Sequence, residues 1–169
     1  MSSFSAISTI EGVVRGLVER LARLAGVVAP PLLRVALAVP FFKSGLTKWD
    51  SFLSLSPAAS FLFEDEFKLH ISGHAYDFPF PVMFAYVDGL AEIVLPVLLV
   101  LGFATRLSAL ALLVITGVIQ LVVPEGWANF HLPWAALAVA LMALGPGKLS
   151  LDHLAVSLCR LRVSGGGPP

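Results

Sequence analysis

Several charged residues, among them Arg34, Lys43, Asp88 and Glu92, stand inside segments of this sequence that are otherwise apolar. Lys43 lies near the end of an apolar run that begins at Pro30, and Asp88 and Glu92 lie within a second apolar run, residues 81–102. Asp88 and Glu92 are four residues apart, so a helix would place both carboxylates on one face. Two interpretations follow: an ion pair that fixes helix register, or a polar pocket that binds a quinone-like ligand or moves protons.

The composition is that of a membrane protein. The chain has 169 residues, of which 57% are hydrophobic and 13% are charged, whereas soluble domains carry about 25% charged residues. Mean hydropathy is +0.89. The formal net charge is zero, which gives no reason to expect nucleic acid as a partner. Cys159 is the one cysteine, so an internal disulfide relay is excluded.

Four segments are long enough to cross a bilayer, which needs about 20 mostly apolar residues. They cover about 30–49, 81–102, 107–124 and 130–147, and the last two contain no Asp, Glu, Lys or Arg. The sequence therefore predicts an all-α integral membrane protein, a four-helix bundle in contact with the lipid bilayer.

Three parts of the chain are predicted. Residues 1–29 form an amphipathic helix, which lies in the membrane interface or packs on the bundle. Residues 30–153 form the four-span domain, with a long first loop that contains a short interfacial helix or a pair of strands. Residues 154–169 form a tail that is partly disordered.

Basic residues predict the orientation. They flank the ends of the spans that would face the cytoplasm, at Arg15, Arg20, Arg23, Arg106, Lys148, Arg160 and Arg162, whereas the long first loop is acidic. By the positive-inside rule, both termini are cytoplasmic and the first loop is periplasmic, in a bacterial inner membrane.

The depth of each charged residue in the membrane predicts which charges meet. At about 1.5 Å per residue, Lys43 lies about 10 Å below the outer end of span one, and Asp88 lies about 11 Å below that of span two. We therefore expect Lys43 to pair with Asp88 or Glu92, whereas Lys48 can reach the interface on its own. The candidates for a ligand or quinone pocket in the outer half of the bundle are Lys43, Ser44, Lys48, Asp88, Glu92, Gln120, His131 and Trp134.

A metal site is not expected. His70 and His74 have helical i, i+4 spacing, and Glu64 and Glu66 lie near them in sequence. These four residues are weak candidates, because such spacing is common by chance.

Three motifs resemble the DoxX family over about residues 30–153. They are "SGLTKW" late in span one, "GLAEIVLPVLLVLGFATRLSALALL" across spans two and three, and "LGPGKLSLD" after span four. The resemblance implies a four-helix bundle of the bacterial inner membrane. Relatives include subunits of thiosulfate:quinone oxidoreductase and proteins linked to oxidative, thiol or metal stress.

The resemblance singles out four residues of the motifs. Lys48 stands in "SGLTK", Glu92 in "GLAE", Arg106 in "ATR" and Asp152 in "LSLD". Arg106 and Asp152 are expected to lie near one face of the membrane and to pair with each other.

The expected function is that of an inner-membrane accessory subunit in a redox or metal/oxidative-stress system. No covalently bound cofactor is expected, and quinone is the candidate ligand; any enzymatic activity would be that of a quinone-linked oxidoreductase subunit. The alternative is a non-catalytic scaffold that recruits periplasmic partners, and a small transporter is less favoured. Other membrane or periplasmic proteins are the expected partners.

Overall fold

The computed structural model describes residues 2–164 of the chain, with side chains for residues 11–160. The helices are α1 (Ser2–Thr47), α2 (Pro57–Phe61), α3 (Pro81–Leu101), α4 (Thr105–Val122), α5 (Leu132–Leu144) and α6 (Leu151–Ser164). Four stretches of the described chain are long and apolar enough to cross a membrane: Glu11–Thr47, Pro81–Leu101, Thr105–Val122 and Pro124–Leu144. The predicted all-α membrane fold class is confirmed.

The four long helices pack around one apolar core. Helix α3 packs between α1 and α4, and α5 completes the bundle against α4 and α1. Buried side chains from all four helices meet at Leu37, Phe41, Leu99, Leu112 and Leu141. We call the end that carries the connection 48–80 the outer end, and the end that carries the tight turn between α3 and α4 the inner end.

Helix α1 differs from the prediction. A boundary between an interfacial helix and span one was expected at residues 29 and 30, but α1 runs unbroken through Pro30, Pro31 and Pro40. Membrane helices tolerate proline where neighbouring groups replace the lost backbone hydrogen bond. Nearly all side chains of residues 11–28 are exposed, so this part of α1 extends beyond the bundle and does not pack on it.

Close contact at Gly45 fixes the register of α1 against α3. A Cβ atom built on Gly45 would lie 3.0 Å from backbone atoms of Glu92, so the two helices touch there without an intervening side chain. Since Gly45 is level with Glu92, Thr47 is level with the middle of α3, about 13 Å below its outer end at Pro81. Helix α1 therefore stops well short of the outer end of the bundle.

The connection 48–80 fills the space above α1. It contains strand β1 (Trp49–Ser51), strand β2 (Ser54–Leu55), α2, a π-helical turn (Leu62–Glu66), and the hairpin of β3 (Lys68–Ile71) and β4 (His74–Asp77). The predicted alternatives, a short helix or a pair of strands, are thus both present. The Tyr86 hydroxyl donates to Leu53 O at 2.9 Å, which attaches the β1–β2 hairpin to α3.

Helix α6 follows the bundle at its inner end. The described part of the predicted tail, up to Ser164, is helical. The last five residues, 165–169, to which most of the predicted disorder applied, lie outside the described residues.

The contact at Gly45 predicts that a larger side chain destabilises the protein at this position but not at an exposed glycine. Gly45→Val should destabilise the folded protein by about 1–3 kcal/mol, because the new methyl groups force α1 away from the Glu92 backbone. Gly117→Val in α4 is the matched control, since a Cβ there would meet no atom of the described chain within 4 Å. Thermal midpoints in detergent, measured by size-exclusion chromatography after heating, should fall for Gly45→Val only. Equal midpoints for the two variants would contradict the assigned helix register.

Candidate functional site

One lysine and two carboxylates meet between α1 and α3. Lys48 Nζ lies 2.9 Å from Asp88 Oδ2 and also forms an ion pair with Glu92 Oε2. A third acceptor, Ser44 Oγ, lies 3.3 Å from the same nitrogen. An ammonium group has three N–H donors, so each has an acceptor in this arrangement. We call Ser44, Lys48, Asp88 and Glu92 the charged cluster.

The predicted pairing of Lys43 with these carboxylates is wrong. The depth comparison assumed that α1 and α3 reach the same outer level, but the contact at Gly45 places Lys48 beside Asp88 and Glu92. Lys43 is five residues earlier, inside α1, whereas Lys48 lies in the turn that follows Thr47. Lys43 is exposed, and Lys48 is the residue that needs a partner.

The charged cluster lies deep in the membrane-spanning region. Asp88 and Glu92 are about 11 and 16 Å below the outer end of α3, which is about 31 Å long. The Glu92 side chain is 2% exposed. With both carboxyl groups ionised, the cluster carries one net negative charge, and with one proton shared between them it is neutral.

The charged cluster forms one wall of a cavity of about 430 Å³. Its polar lining comes from Ser44, Lys48, Asp88 and Glu92 alone. The rest of the lining is apolar or aromatic and comes from α1, α3, α4, α5 and the outer connection: Pro40, Phe41, Phe63, Phe67, Phe78, Phe84, Val87, Ala91, Val114, Ile115, Val118, Ile119, Val122, Val123 and Trp134. The cavity therefore suits a ligand with a small polar head and an apolar body.

Aromatic side chains of the outer connection roof this cavity. Phe63 contacts Phe67 and Phe78, with ring centroids 5.3 and 5.6 Å apart, and Phe78 contacts Phe84 of α3 at 5.4 Å. His70 Nδ1 lies 3.1 Å from Leu121 O, which ties the β3–β4 hairpin to α4. The connection thus bridges the outer ends of α3 and α4 above the charged cluster.

The cavity opens sideways between α3 and α4. Val87 of α3 and Val114 of α4 both line it and are each 60% exposed. Apolar side chains exposed at this depth of a spanning helix face lipid. This side of the cavity is therefore not covered by the aromatic roof.

Gln120 and His131 form a separate network near the outer ends of α4 and α5. His131 Nδ1 lies 2.6 Å from Gln120 Oε1, and Gln120 Nε2 donates to Pro124 O at 3.0 Å. Because an amide oxygen only accepts hydrogen bonds, Nδ1 of His131 carries the proton. Among the predicted pocket residues Gln120, His131 and Trp134, only Trp134 lines the cavity. The prediction that Gln120 and His131 belong to the ligand pocket is therefore wrong.

A second polar cluster joins the helices at the inner end. Arg34 is 3% exposed and donates to Val100 O at 3.1 Å and to Leu149 O. Asp152 accepts from the backbone N–H groups of Ala104 and Thr105, at 2.8 and 3.0 Å. These bonds satisfy amide groups at the start of α4, which would otherwise lack partners.

The predicted pair between Arg106 and Asp152 is wrong. Arg106 is exposed and its guanidinium lies beside Gly145, while the Asp152 carboxylate serves the N-terminus of α4. The polar residue of this end to which the sequence analysis assigned no partner is Arg34. Its position four residues inside an apolar run was the available signal.

The electrostatics of Asp152 follow from its bonds. Burial raises the pKa of Asp152, but the N–H groups of Thr105 and Ala104 and the positive charge of Arg34 lower it by more. The net effect holds the pKa of this carboxyl below its ordinary value of 3.8.

The weak metal candidates do not converge. Glu64 and Glu66 lie in the π-helical turn, while His70 and His74 lie on the two strands of a hairpin, so their spacing is not helical. Within the described residues, no group of three or more His, Cys, Asp or Glu side chains could hold a metal ion.

The fold and the site define a class: a multi-pass helical membrane protein with a charged cluster in the wall of a cavity that opens to lipid. A sequence model of the DoxX family matches residues 29–125, more than half of the chain, and the chain belongs to the DoxX family. The match includes all four residues of the charged cluster. No curated protein and no solved structure matches the chain.

Asp152 should contribute to stability as a helix cap. Asp152→Ala should lower the free energy of unfolding by about 0.5–2 kcal/mol, the usual effect of removing a capping side chain. Asp152→Asn should cost less, because its amide oxygen still accepts one N–H bond. Thermal midpoints near neutral pH measure both effects, and a midpoint for Asp152→Ala equal to that of wild type would contradict the capping role.

The same carboxylate predicts a pH dependence. A carboxyl whose pKa is lower in the folded state contributes stability that is complete above its ordinary pKa and is lost as pH falls through the folded value. The thermal midpoint should therefore decrease below about pH 4, and this decrease should be smaller in Asp152→Asn than in wild type. Parallel pH profiles for the two proteins would show that Asp152 is not responsible.

Proposed function

We propose that this protein is an accessory subunit of a quinone-linked redox or stress-response system in the bacterial inner membrane. The observation that carries this proposal is the charged cluster in the wall of an apolar cavity that opens to the bilayer. Its outer end faces the periplasm and its termini face the cytoplasm, since Arg15, Arg20, Arg23, Lys148 and Arg160 lie at or beyond the inner end.

The residues present fit a quinone. A cavity of about 430 Å³ lies within the usual range of small-molecule sites, about 300–1,000 Å³. The Ser44 hydroxyl is a donor for a ring carbonyl, and the Asp88 and Glu92 carboxylates are acceptors for the hydroxyl groups of the reduced ring. The aromatic and aliphatic lining accommodates the ring face and the start of the isoprenoid chain.

The charged cluster would handle one of the two protons that accompany the two-electron reduction of a quinone. A bound quinone supplies two-electron chemistry that is coupled to protons. Glu92 and Asp88 would hold one proton between them beside the polar head, and Lys48 would stabilise the form in which that proton has left. Cys159, the one cysteine, is exposed and far in sequence from the cavity, so electrons would come from a partner protein, as befits an accessory subunit.

Filling the cavity should abolish quinone binding. Ala91→Phe places a ring in the cavity, while Ala136→Phe on the exposed face of α5 is the matched control. Quinone co-purifying with the protein in lipid nanodiscs should be lost in Ala91→Phe and retained in Ala136→Phe. Trp134 lines the cavity, so a short-chain quinone should quench its fluorescence in the control only. Quinone-free wild-type protein that shows no quenching would favour the non-catalytic scaffold.

The negative charge of Glu92 should contribute to quinone affinity and not only to folding. Glu92→Gln keeps an oxygen acceptor for Lys48 but removes the charge, so quinone affinity should fall about tenfold or more, the scale of one hydrogen bond to a charged group. Glu64→Gln, on the exposed π-helical turn, is the matched control. Quinone titrations of both variants, with thermal midpoints as the folding check, test this. Unchanged affinity in Glu92→Gln would leave the cluster with a structural role alone.

A further inference from the structure

Lys43 lies in a second apolar groove on the outside of the bundle. This groove, of about 320 Å³, runs between α1 and α3, and every other side chain that lines it is apolar. Ala38, Val39 and Phe42 form its α1 side, and Pro96 and Val97 form part of its α3 side. Lys43 is exposed, so its ammonium group is presented to whatever surrounds the protein at that level.

That level is far from both membrane surfaces. Gly45 is level with Glu92, which places Lys43 about 20 Å below the outer end of α3 and about 10 Å above its inner end. The hydrocarbon core of a bilayer is about 30 Å thick, close to the length of α3. The nearer interface is thus farther from the Lys43 backbone than a four-carbon stem extends, and snorkelling does not bring the charge to the headgroups.

No acid of the described bundle is available to neutralise Lys43. The two acidic residues of α3, Asp88 and Glu92, are paired with Lys48. Charges in membrane spans almost always face a protein interior or a water-filled cavity and are paired there. An unpaired, lipid-facing lysine near the bilayer centre is therefore a sign that the surface is covered in the assembled state.

We propose that the groove around Lys43 binds a transmembrane helix of another protein that carries an Asp or Glu at the same depth. Charge complementarity selects this occupant: a carboxylate would neutralise Lys43, and the apolar walls on either side would receive the flanking side chains of the partner helix. A lipid phosphate remains at the interface, too far away. A second copy of this chain related by two-fold symmetry would bring Lys43 near Lys43, which is repulsive.

This inference goes beyond the proposed function and is independent of it. Lys48 lines the quinone cavity and Lys43 lines the groove, and no residue is common to the two linings. A variant can lose the partner while the cavity remains intact, and the two proposals can fail separately.

Photo-cross-linking in native membranes tests the proposal. The photoreactive residue p-benzoylphenylalanine replaces Val97, which lines the groove and leaves Lys43 in place; the control position is Val139, an exposed residue of α5. The expected adduct at position 97 is a membrane protein whose cross-linked peptide lies in a transmembrane segment that contains Asp or Glu. No such adduct should form at position 139.

Charge variants then decide whether Lys43 is responsible. Lys43→Leu should lower the yield of the adduct at least about tenfold while keeping the thermal midpoint of wild type, and Lys43→Arg should preserve it. Lys43→Glu should lose the adduct and regain it when the acid of the partner is changed to Lys. Adducts with lipid alone, with a second copy of this chain, or with a protein whose yield is the same in Lys43→Leu would each overturn the proposal.

Discussion

The structure depends on neutralising the two carboxylates of α3 inside a membrane. Asp88 and Glu92 cannot be solvated at mid-depth, so a cation must reach them from within the protein. Lys48 does so because α1 and α3 touch at Gly45, where a larger residue would hold them apart. The same register makes α1 end early, and the missing upper part of that helix is replaced by the connection 48–80. The ion pairing, the register and the folded connection are thus consequences of one constraint.

At the inner end of the bundle, the polar groups that need partners are backbone groups instead of acids. The tight turn between α3 and α4 leaves carbonyl groups at the end of one helix and N–H groups at the start of the next. Arg34 binds Val100 O, and Asp152 binds the amides of Ala104 and Thr105 while its own N–H donates to Gly102 O. The polar residues at the inner end bind backbone groups of the fold, whereas the charged cluster also lines the cavity. This contrast is why the cavity, rather than the inner end, is the candidate site.

Hydrophobic patterning was sufficient to predict the four spans, because long apolar segments leave few alternatives, whereas the family followed from the resemblance of three motifs. The partners of Lys43 and Lys48 could not be predicted, because their assignment depended on where α1 stops relative to α3. An error of five residues in the height of α1 relative to α3 places Lys43, instead of Lys48, beside the carboxylates of α3. Likewise, Gln120 and His131 share a depth with the cavity but are turned towards each other, and depth alone does not specify the direction of a side chain. The roof formed by Phe63, Phe67 and Phe78 required the fold of the long connection, which no periodicity encodes.

Lys43 and Lys48, both in the stretch "PFFKSGLTKWD" of residues 40–50, differ in whether acceptors of the same chain neutralise their charge. Lys43 lies within α1 and Lys48 directly follows its last residue, Thr47, and both are at depths where a free ammonium group is unfavourable. Lys48 has three acceptors within its own chain and borders a cavity, so its chemistry is complete without a second protein. Lys43, five residues earlier, faces an apolar groove on the lipid side. In the assembly proposed above, the charge of Lys43 would select a partner helix that carries an acid at the same depth.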